Sequence, residues 1–224
     1  MDFLYSLDKA LFLFINQTLS NPVGDFLWPL ITDYDHLWKV SFLFPFPWFG
    51  GILFIPVSFS VSRVLLILAW LFLLINGGEK GRRAAIMIVP VLILSDQLSS
   101  SFIKSLVDRA RPCHTVEGVP IIQSIHMLVD CGPGKSFPSS HAVNNFALAT
   151  VFSFYYRKWI WWFVAWASLV ALSRPAVGVH YPSDILGGAI IGVLVGAFVI
   201  WTWINVERKV LPLRYERDEK KRLP

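Results

Sequence analysis

The chain has 224 residues, of which 55% are hydrophobic and only 16% are charged. Soluble domains carry about 25% charged residues, so this composition excludes an ordinary soluble enzyme and indicates a membrane protein with a single domain, residues 1–224. The net charge of +5 does not indicate a nucleic-acid partner, because the cations lie between apolar runs and in the C-terminal tail, where membrane topology places them. The partner that we expect is the lipid bilayer.

The first 36 residues form a distinct N-terminal region. Residues 3–31 mix Phe, Leu and Trp with polar residues, a pattern typical of one or two amphipathic helices that lie on the membrane surface. An apolar stretch follows at residues 40–76, with Arg63 as its only charge. Its length fits either one span with a membrane-hugging loop or two spans. Proline and glycine interrupt its first half and argue against a regular helix there, and the role of residues 42–60 stays open.

Four later apolar runs are predicted to span the bilayer, because about 20 helical residues cross its hydrocarbon layer. These runs are residues 84–103, 141–156, 159–173 and 185–206. With the earlier stretch the total is five or six spans, so the predicted fold is all-α, a polytopic membrane helical bundle. Gly188, Gly192 and Gly196 form one stripe on the last span. This stripe indicates either packing inside the bundle or a dimer face, which leaves the oligomeric state open.

Three short strings of polar residues lie at the ends of these spans. The first is K-x6-R-P, from Lys104 to Pro112, and the second is P-S-S-H at residues 138–141. The third is S-R-x5-H-x3-D at residues 173–184. Together the strings supply three cations, two imidazoles and a carboxylate. That set is suited to moving a phosphoryl group through a histidine nucleophile without a metal ion or a cofactor.

Each of the three acid–base residues has a predicted role. His180 is the candidate nucleophile, since a neutral imidazole can attack phosphorus and form a phosphohistidine. Asp184 lies one helical turn further along and can fix the tautomer of His180. His141 is the candidate general acid, which would protonate the leaving group and then activate water. In isolation, either His could be an ordinary interfacial or helix-capping residue.

The remaining site residues are predicted to bind the phosphate. Lys104, Arg111 and Arg174 can stabilise the charge on its equatorial oxygens. The alternative for a lone cation at the end of a span is snorkelling, in which the side chain extends its charged head to the membrane interface. Ser139 and Ser140 can add hydroxyl or backbone donors at the start of a helix. The sequence shows no His, Cys and carboxylate spacing typical of a metal site.

The order and spacing of the three strings resemble the type-2 phosphatidic-acid phosphatase family, whose members are integral-membrane lipid phosphatases related to vanadium haloperoxidases. The resemblance covers residues 80–206, the motif-bearing core, and the family usually has Gly where this chain has Ser140. It implies hydrolysis of a lipid phosphate monoester or diphosphate, with undecaprenyl diphosphate, phosphatidylglycerol phosphate, phosphatidic acid and lipid A phosphate as candidates. A lipid phosphotransferase and a non-catalytic binding or transport protein are the alternatives.

The cations outside the strings predict the orientation in the membrane. They cluster at residues 80–83, at residues 157–158 and in the tail at residues 207–224. Alternating crossings put these clusters on one face, which the positive-inside rule identifies as the cytoplasm. The three strings then lie on the opposite face. We therefore expect a multi-pass protein of the bacterial inner membrane whose active site faces the periplasm or the outside.

Three other polar positions in and near the outer loop have alternative explanations. Cys113 and Cys131 are the only cysteines and lie in the same outer loop, so they are either a disulfide, as expected on an oxidising face, or two free thiols. Asp96 lies inside a predicted span. It is either a functional residue or the acceptor of a buried structural hydrogen bond.

Overall fold

The computed structural model of the protein describes residues 2–32, 39–48, 51–116 and 119–210. Residues 33–36 of the predicted N-terminal region and residues 211–224 of the predicted cytoplasmic tail lie outside the described residues.

The described chain is built mainly of helices, as predicted. Seven helices are present in this part of the chain: α1 (Asp2–Leu13), α2 (Pro22–Thr32), α3 (Val61–Asn76), α4 (Gly78–Val107), α5 (Ser140–Tyr155), α6 (Ile160–Ala176) and α7 (Pro182–Val210). Helix α4 is α-helical to Asp96, becomes π-helical over Gln97–Ile103 and ends in the turn Lys104–Val107. A second π-helical segment, Phe14–Thr18, continues α1.

The predicted runs after residue 80 all contain helices. By length and composition, α4 and α7 are long and apolar enough to cross a membrane, and Val64–Asn76 is a shorter apolar helix. Helices α5 and α6 have 16 and 17 residues, which corresponds to about 24–26 Å at 1.5 Å per residue. The total of five or six spans stays a prediction.

Two antiparallel strand pairs accompany the helices. Strands β1 (Lys39–Trp48) and β2 (Gly51–Ser60) pair in the apolar stretch before α3. The stretch at residues 40–76 therefore contains one described helix, and its first half is not helical, as its proline and glycine content predicted. A much shorter pair, β3 (Thr115–Val116) and β4 (Val119–Pro120), lies in the loop between α4 and α5.

Helix α5 is the centre of the bundle and packs against α4, α6 and α7. The glycine stripe of α7 faces α5, and a Cβ atom on Gly192 would lie 2.4 Å from the carbonyl oxygen of Val143. Gly188 and Gly196 make similar close approaches to α5. Of the two explanations for the stripe, packing inside the bundle is therefore confirmed.

The two ends of the bundle differ in chemistry. At one end, Arg83 near the start of α4 forms a salt bridge of 2.8 Å with Glu207 near the end of α7. Tyr156, which follows α5, lies beside Gly81 at this same end. The cations of residues 80–83 and 157–158 are thus grouped together. The polar strings lie at the opposite end, where α4 and α6 finish and α5 and α7 begin.

The N-terminal helices dock on the polar-string end of the bundle. Apolar side chains of α1 face outward, and Phe3 and Leu4 are 76% and 71% exposed. Phe12 is buried against Ile122 and Tyr181. The expectation that this region simply lies on the membrane surface is therefore incomplete, because Asp8 and Phe12 of α1 are buried in the protein.

Candidate active site

His180 and Asp184 form a buried pair where α7 begins. Their residues are 2% and 0% exposed, and His180 Nδ1 lies 3.5 Å from Asp184 Oδ2. The same oxygen accepts hydrogen bonds from the Tyr181 backbone N–H at 2.8 Å and from the Ser136 hydroxyl. Burial lowers the pKa of His180 to about 4, so its imidazole is neutral at pH 7. The predicted i,i+4 contact therefore exists, and Nε2 is the ring nitrogen that Asp184 does not face.

The turn that presents His180 depends on a glycine. Gly178 has φ +94°, a conformation that side-chain-bearing residues rarely adopt. A Cβ atom there would also lie 2.8 Å from the Met127 sulfur. The Val179 N–H closes the turn by donating to the Arg174 carbonyl at 3.1 Å. This backbone hydrogen bond holds Arg174 and His180, the cation and the imidazole of the third string, close together in space.

The P-S-S-H string joins the same site through its backbone. The Ser139 N–H donates to the Asp184 carbonyl at 3.1 Å, which ties the start of α5 to the start of α7. His141 lies in the first turn of α5, makes a hydrogen bond to the backbone of Thr32, and is close enough to Arg174 and His180 for their charges to act on it. The two predicted imidazoles are therefore brought together.

Lys104 reaches the site through a serine cluster. Its Nζ donates to Ser140 Oγ at 3.0 Å. Ser99 and Ser100, from the π-helical segment of α4, lie 3.2 and 3.3 Å from the same hydroxyl. The Ser140 hydroxyl thus orients a predicted phosphate-binding cation in this chain.

The two arginines are held by different supports. Arg111 donates from Nη1 to the carbonyl oxygen of Cys131, and Gly134 lies against its guanidinium, 3.1 Å from an ideal Cβ position to Nη2. Arg174 is 8% exposed and donates from Nη1 to Thr32 Oγ1 at 2.5 Å. The charges of both arginines act on Lys104. All three predicted cations are therefore near one another.

Two buried polar atoms of the site have no hydrogen-bond partner among the described residues. They are Arg111 Nε and Ser139 Oγ. Buried donors are almost always paired in folded proteins, and an unpaired one costs about 1–3 kcal/mol. An oxygen of a bound anion beside Arg111 would satisfy its Nε–H donor.

The loop between α4 and α5 contains the disulfide that the sequence allowed. Cys113 and Cys131 are bonded, with their Cα atoms 6.0 Å apart, so the prediction of a disulfide is confirmed over the alternative of free thiols. The Asp96 prediction is only partly correct. Asp96 accepts a hydrogen bond of 3.0 Å from Ser100, but this contact is exposed rather than buried.

Sequence reasoning missed several supports of the site. They are Asp8, Thr32, Arg109 and Ser136. Arg109 lies inside the first string, but the pattern of that string specifies only the two other basic positions, Lys104 and Arg111. Asp8 is an acidic residue in an apolar helix, a signal that could have been followed. Among the described residues, no group of three or more His, Cys, Asp or Glu side chains is arranged to hold a metal ion.

Comparison with known proteins shows relatives along most of the chain. It is 29% identical to the lipid A 4′-phosphatase of Bacteroides thetaiotaomicron over 222 residues, which cover 97% of this chain and 84% of the relative. It is 32% identical to the lipid A 4′-phosphatase of Porphyromonas gingivalis over 70% of this chain and 68% of the relative. The undecaprenyl-diphosphatase BcrC of Bacillus subtilis is 30% identical over 42% of this chain and 48% of the relative.

Solved structures show the same fold. The crystal structure of LpxE from Aquifex aeolicus superposes with a TM-score of 0.59 at 23% identity, over 87% of this chain and 94% of the other. A PAP2-type phosphatidylglycerolphosphate phosphatase from Bacillus subtilis gives 0.61 at 19% identity, over 94% of this chain and 89% of the other. The sequence profile of the PAP2 superfamily matches residues 85–208, which include all three strings. The chain therefore belongs to the PAP2 superfamily.

Proposed function

We propose that this protein is a membrane lipid phosphatase that hydrolyses a phosphate monoester or diphosphate through a phosphohistidine on His180. The observation that carries the proposal is the buried His180–Asp184 pair, held next to three cations from three separate parts of the chain. A buried neutral imidazole is a good nucleophile, and clustered cations stabilise the charge that develops on a transferred phosphoryl group.

The first chemical step forms a bond between His180 Nε2 and phosphorus. Asp184 holds the proton on Nδ1, which leaves the lone pair of Nε2 free to attack in line. The bond from phosphorus to the lipid oxygen breaks, and His141 donates a proton to that oxygen. The products of this step are the dephosphorylated lipid alcohol, or a lipid monophosphate when the substrate is a diphosphate, and a phosphoenzyme.

The second step regenerates the enzyme with water. His141, now neutral, removes a proton from a water molecule that attacks the phosphohistidine. The bond from phosphorus to Nε2 breaks, and inorganic phosphate leaves. Lys104, Arg111 and Arg174 hold the phosphoryl oxygens in both steps, and Ser139 and Ser140 contribute at the start of α5. In this proposal the three cations supply the positive charge, so the reaction requires neither a divalent metal nor a cofactor.

Lipid A 4′-phosphate is the first substrate to test, because the two relatives named lipid A 4′-phosphatase match most of the present chain. Undecaprenyl diphosphate, phosphatidylglycerol phosphate and phosphatidic acid are the other candidates. All four present a phosphate at the membrane surface and an apolar chain in the bilayer. The outward-facing apolar side chains of α1 and α7, such as Leu4 and Leu186, are suited to contact with lipid.

We further propose that the site opens on the outer face of the bacterial inner membrane. The cations at residues 80–83 and 157–158 lie at the end of the bundle opposite the site, and such clusters favour the cytoplasm. A span of about 20 residues separates the two ends by about 30 Å. A lipid of the outer leaflet could then present its phosphate without leaving the bilayer.

Two other functions would use the same residues. A lipid phosphotransferase would pass the phosphoryl group from His180 to a lipid alcohol instead of water. A binding or transport protein would need the cations but not a paired nucleophile. The buried His180–Asp184 contact favours the two catalytic functions over the third, since binding an anion does not require a carboxylate beside the imidazole.

Phosphate release from the four lipids by purified protein in detergent, with EDTA present, tests the proposal. The matched control is His180→Ala, which removes the nucleophile and leaves all three cations. We expect release from at least one lipid by wild-type protein only. Phosphate transfer to an added lipid alcohol, without free phosphate, would indicate the transferase. Activity lost in EDTA and restored by Mg²⁺ would contradict the metal-independent mechanism.

A further inference from the structure

A charge network connects α1 to the carboxylate of Asp184. Arg109 Nη1 donates to Asp184 Oδ1 at 2.8 Å, and Nη2 of the same guanidinium donates to Asp8 Oδ2 at 2.6 Å. The side chains of Asp184 and Asp8 are 0% and 9% exposed, and that of Arg109 is 22% exposed. A single guanidinium therefore bridges two carboxylates that water barely reaches.

The two oxygens of Asp184 have different partners. Oδ2 faces His180 Nδ1 and accepts from the Tyr181 N–H and the Ser136 hydroxyl. Oδ1 accepts from Arg109. A carboxylate that is held at both oxygens cannot rotate freely about its terminal torsion angle, which is otherwise soft. Together with the two donors to Oδ2, Arg109 thus fixes the direction in which Oδ2 meets His180.

Asp8 in turn holds Arg109 in place. Its carboxylate accepts from the Ser183 N–H at 2.9 Å and from the Ser183 hydroxyl at 2.5 Å. Arg109 Nη1 also donates to Ser183 Oγ at 2.6 Å, and its guanidinium carbon lies 4.0 Å from the centre of the Tyr181 ring. These contacts fix the guanidinium on four sides. Asp8 lies in α1, outside the residues that match the superfamily profile.

We propose that Arg109 and Asp8 are positioning residues for the Asp184–His180 pair, so that α1 is part of the working active site. The inference rests on the proposed roles of His180 and Asp184. Arg109 acts on the Asp184 oxygen that His180 does not use, and Asp8 acts through Arg109 and Ser183. Neither residue is expected to contact the phosphate, in contrast to the three cations of the site.

This role differs in its consequences from simple docking of α1. If the network only attached α1 to the bundle, its loss would lower the stability or the folded fraction, and each folded molecule would keep its kcat. If the network positions Asp184, its loss lowers kcat for the folded protein and leaves KM nearly unchanged, because the phosphate-binding cations are intact.

The test compares Asp8→Asn, Arg109→Gln and Arg109→Lys with a matched control, Asp25→Asn. Asp25 is also an N-terminal carboxylate with a side-chain neighbour, its Oδ2 lying 3.0 Å from His126 Nε2, and no contact between Asp25 and Asp184 is found among the described residues. Residues that orient the ligands of a metal ion typically contribute about 10- to 100-fold to activity, and we expect a contribution of the same order from residues that orient Asp184. We expect kcat to fall by about this factor in Arg109→Gln and by less in Asp8→Asn, with partial recovery in Arg109→Lys.

Two readouts make the result independent of folding yield and of substrate choice. The Kd for inorganic phosphate, which stays tetrahedral when bound, should stay within about twofold of wild type in every variant if the phosphate site is intact. The ¹⁵N chemical shifts of His180 report its tautomer without any substrate. We expect the Nδ1-protonated form to dominate in wild type and to lose population in Arg109→Gln.

The outcomes separate this proposal from the proposed function. If wild type hydrolyses a lipid phosphate but Arg109→Gln and Asp8→Asn keep its kcat and its His180 tautomer, the positioning role is wrong and the phosphatase stands. If no lipid is hydrolysed, the tautomer measurement alone decides, and an unchanged tautomer in Arg109→Gln overturns the positioning role. A loss of activity in Asp25→Asn equal to that in Asp8→Asn would also overturn it.

Discussion

Removing the Cys113–Cys131 disulfide should weaken phosphate binding through Arg111. Arg111 lies two residues before Cys113, and its Nη1 donates to the carbonyl oxygen of Cys131. Gly132 and Gly134, which follow Cys131, lie against the same guanidinium. The disulfide therefore joins the two chain segments that hold Arg111 between them. The perturbation to test is the double substitution Cys113→Ser with Cys131→Ser.

The disulfide affects two separate quantities, the stability of the fold and the position of Arg111, and only the second enters kcat/KM. A bond that closes a loop with a separation of 18 residues stabilises the fold by about 3 kcal/mol in the chain-entropy description. Without the disulfide, the charge-assisted hydrogen bond from Arg111 Nη1 to the Cys131 carbonyl oxygen is weakened or lost. Such a bond contributes about 1.5–3 kcal/mol. Since 1.4 kcal/mol is about tenfold in an equilibrium constant, kcat/KM for a lipid phosphate should fall by about 10- to 100-fold, and vanadate binding should weaken in parallel.

A double-mutant cycle with Arg111→Ala shows whether the disulfide acts through this residue. If it does, removing the disulfide from Arg111→Ala protein should change kcat/KM by less than about threefold, because the group that it orients is already absent. Thermal unfolding of each variant serves as the control for global stability. Losses that multiply in the combined variant would refute the reasoning and indicate that the disulfide acts on the whole fold.

Four further predictions concern the nucleophile, its pH range, the helix packing and the sidedness. His180→Ala should abolish turnover and keep binding of inorganic phosphate, and more than about a tenth of wild-type activity would exclude it as nucleophile. Because burial lowers the pKa of His180 from 6.5 to about 4, its neutral fraction at pH 5.5 should be about 97% instead of about 9%, so kcat/KM should begin to fall only below pH 5 in a pH profile. Gly192→Ala forces α7 away from α5 and should cost about 1–3 kcal/mol in thermal unfolding, whereas the outward-facing control Val193→Ala should not. In a cysteine-free protein, Thr115→Cys should react with a membrane-impermeant thiol reagent on intact cells, and labelling only after permeabilisation would place the loop in the cytoplasm.

The stability consequence of the His180 pKa has a definite sign. A histidine whose pKa is lower in the folded state binds more protons when unfolded, so it makes the fold more stable as pH rises. The destabilisation should therefore develop as pH falls from about 6.5 toward 4. A free energy of unfolding that falls as pH rises from about 4 to 6.5 would contradict this sign and point to another group.

The local part of the site was predictable from sequence. The spacing of His180 and Asp184 is one helical turn, which is sufficient to predict contact when a helix begins between them. The helical runs were equally clear, because long apolar segments have few alternatives in a bilayer. Proline and glycine correctly excluded a helix in the segment before α3, although antiparallel strands were not foreseen.

The supports of the site were not predictable in the same way. Asp8 and Arg109 are 101 residues apart, and Thr32 and Arg174 are 142 residues apart. Spacing along the chain has no information on such pairs, because their proximity depends on how α1 and α2 dock on the bundle. The amphipathic pattern of residues 3–31 was compatible with a membrane-surface position, and only the docked arrangement shows that Asp8 and Asn16 are buried in the protein.

These contacts give the superfamily segment and the N-terminal helices different roles in the site. The segment that matches the superfamily, residues 85–208, contains every residue that we propose to touch the phosphate. The N-terminal helices add Asp8 on one side, through Arg109, and Thr32 on the other, at Arg174 and His141. Because these supports act on the orientation of motif residues, changes confined to α1 and α2 can alter the geometry of the site while all three motifs stay intact. Comparisons limited to the motifs would not detect such changes.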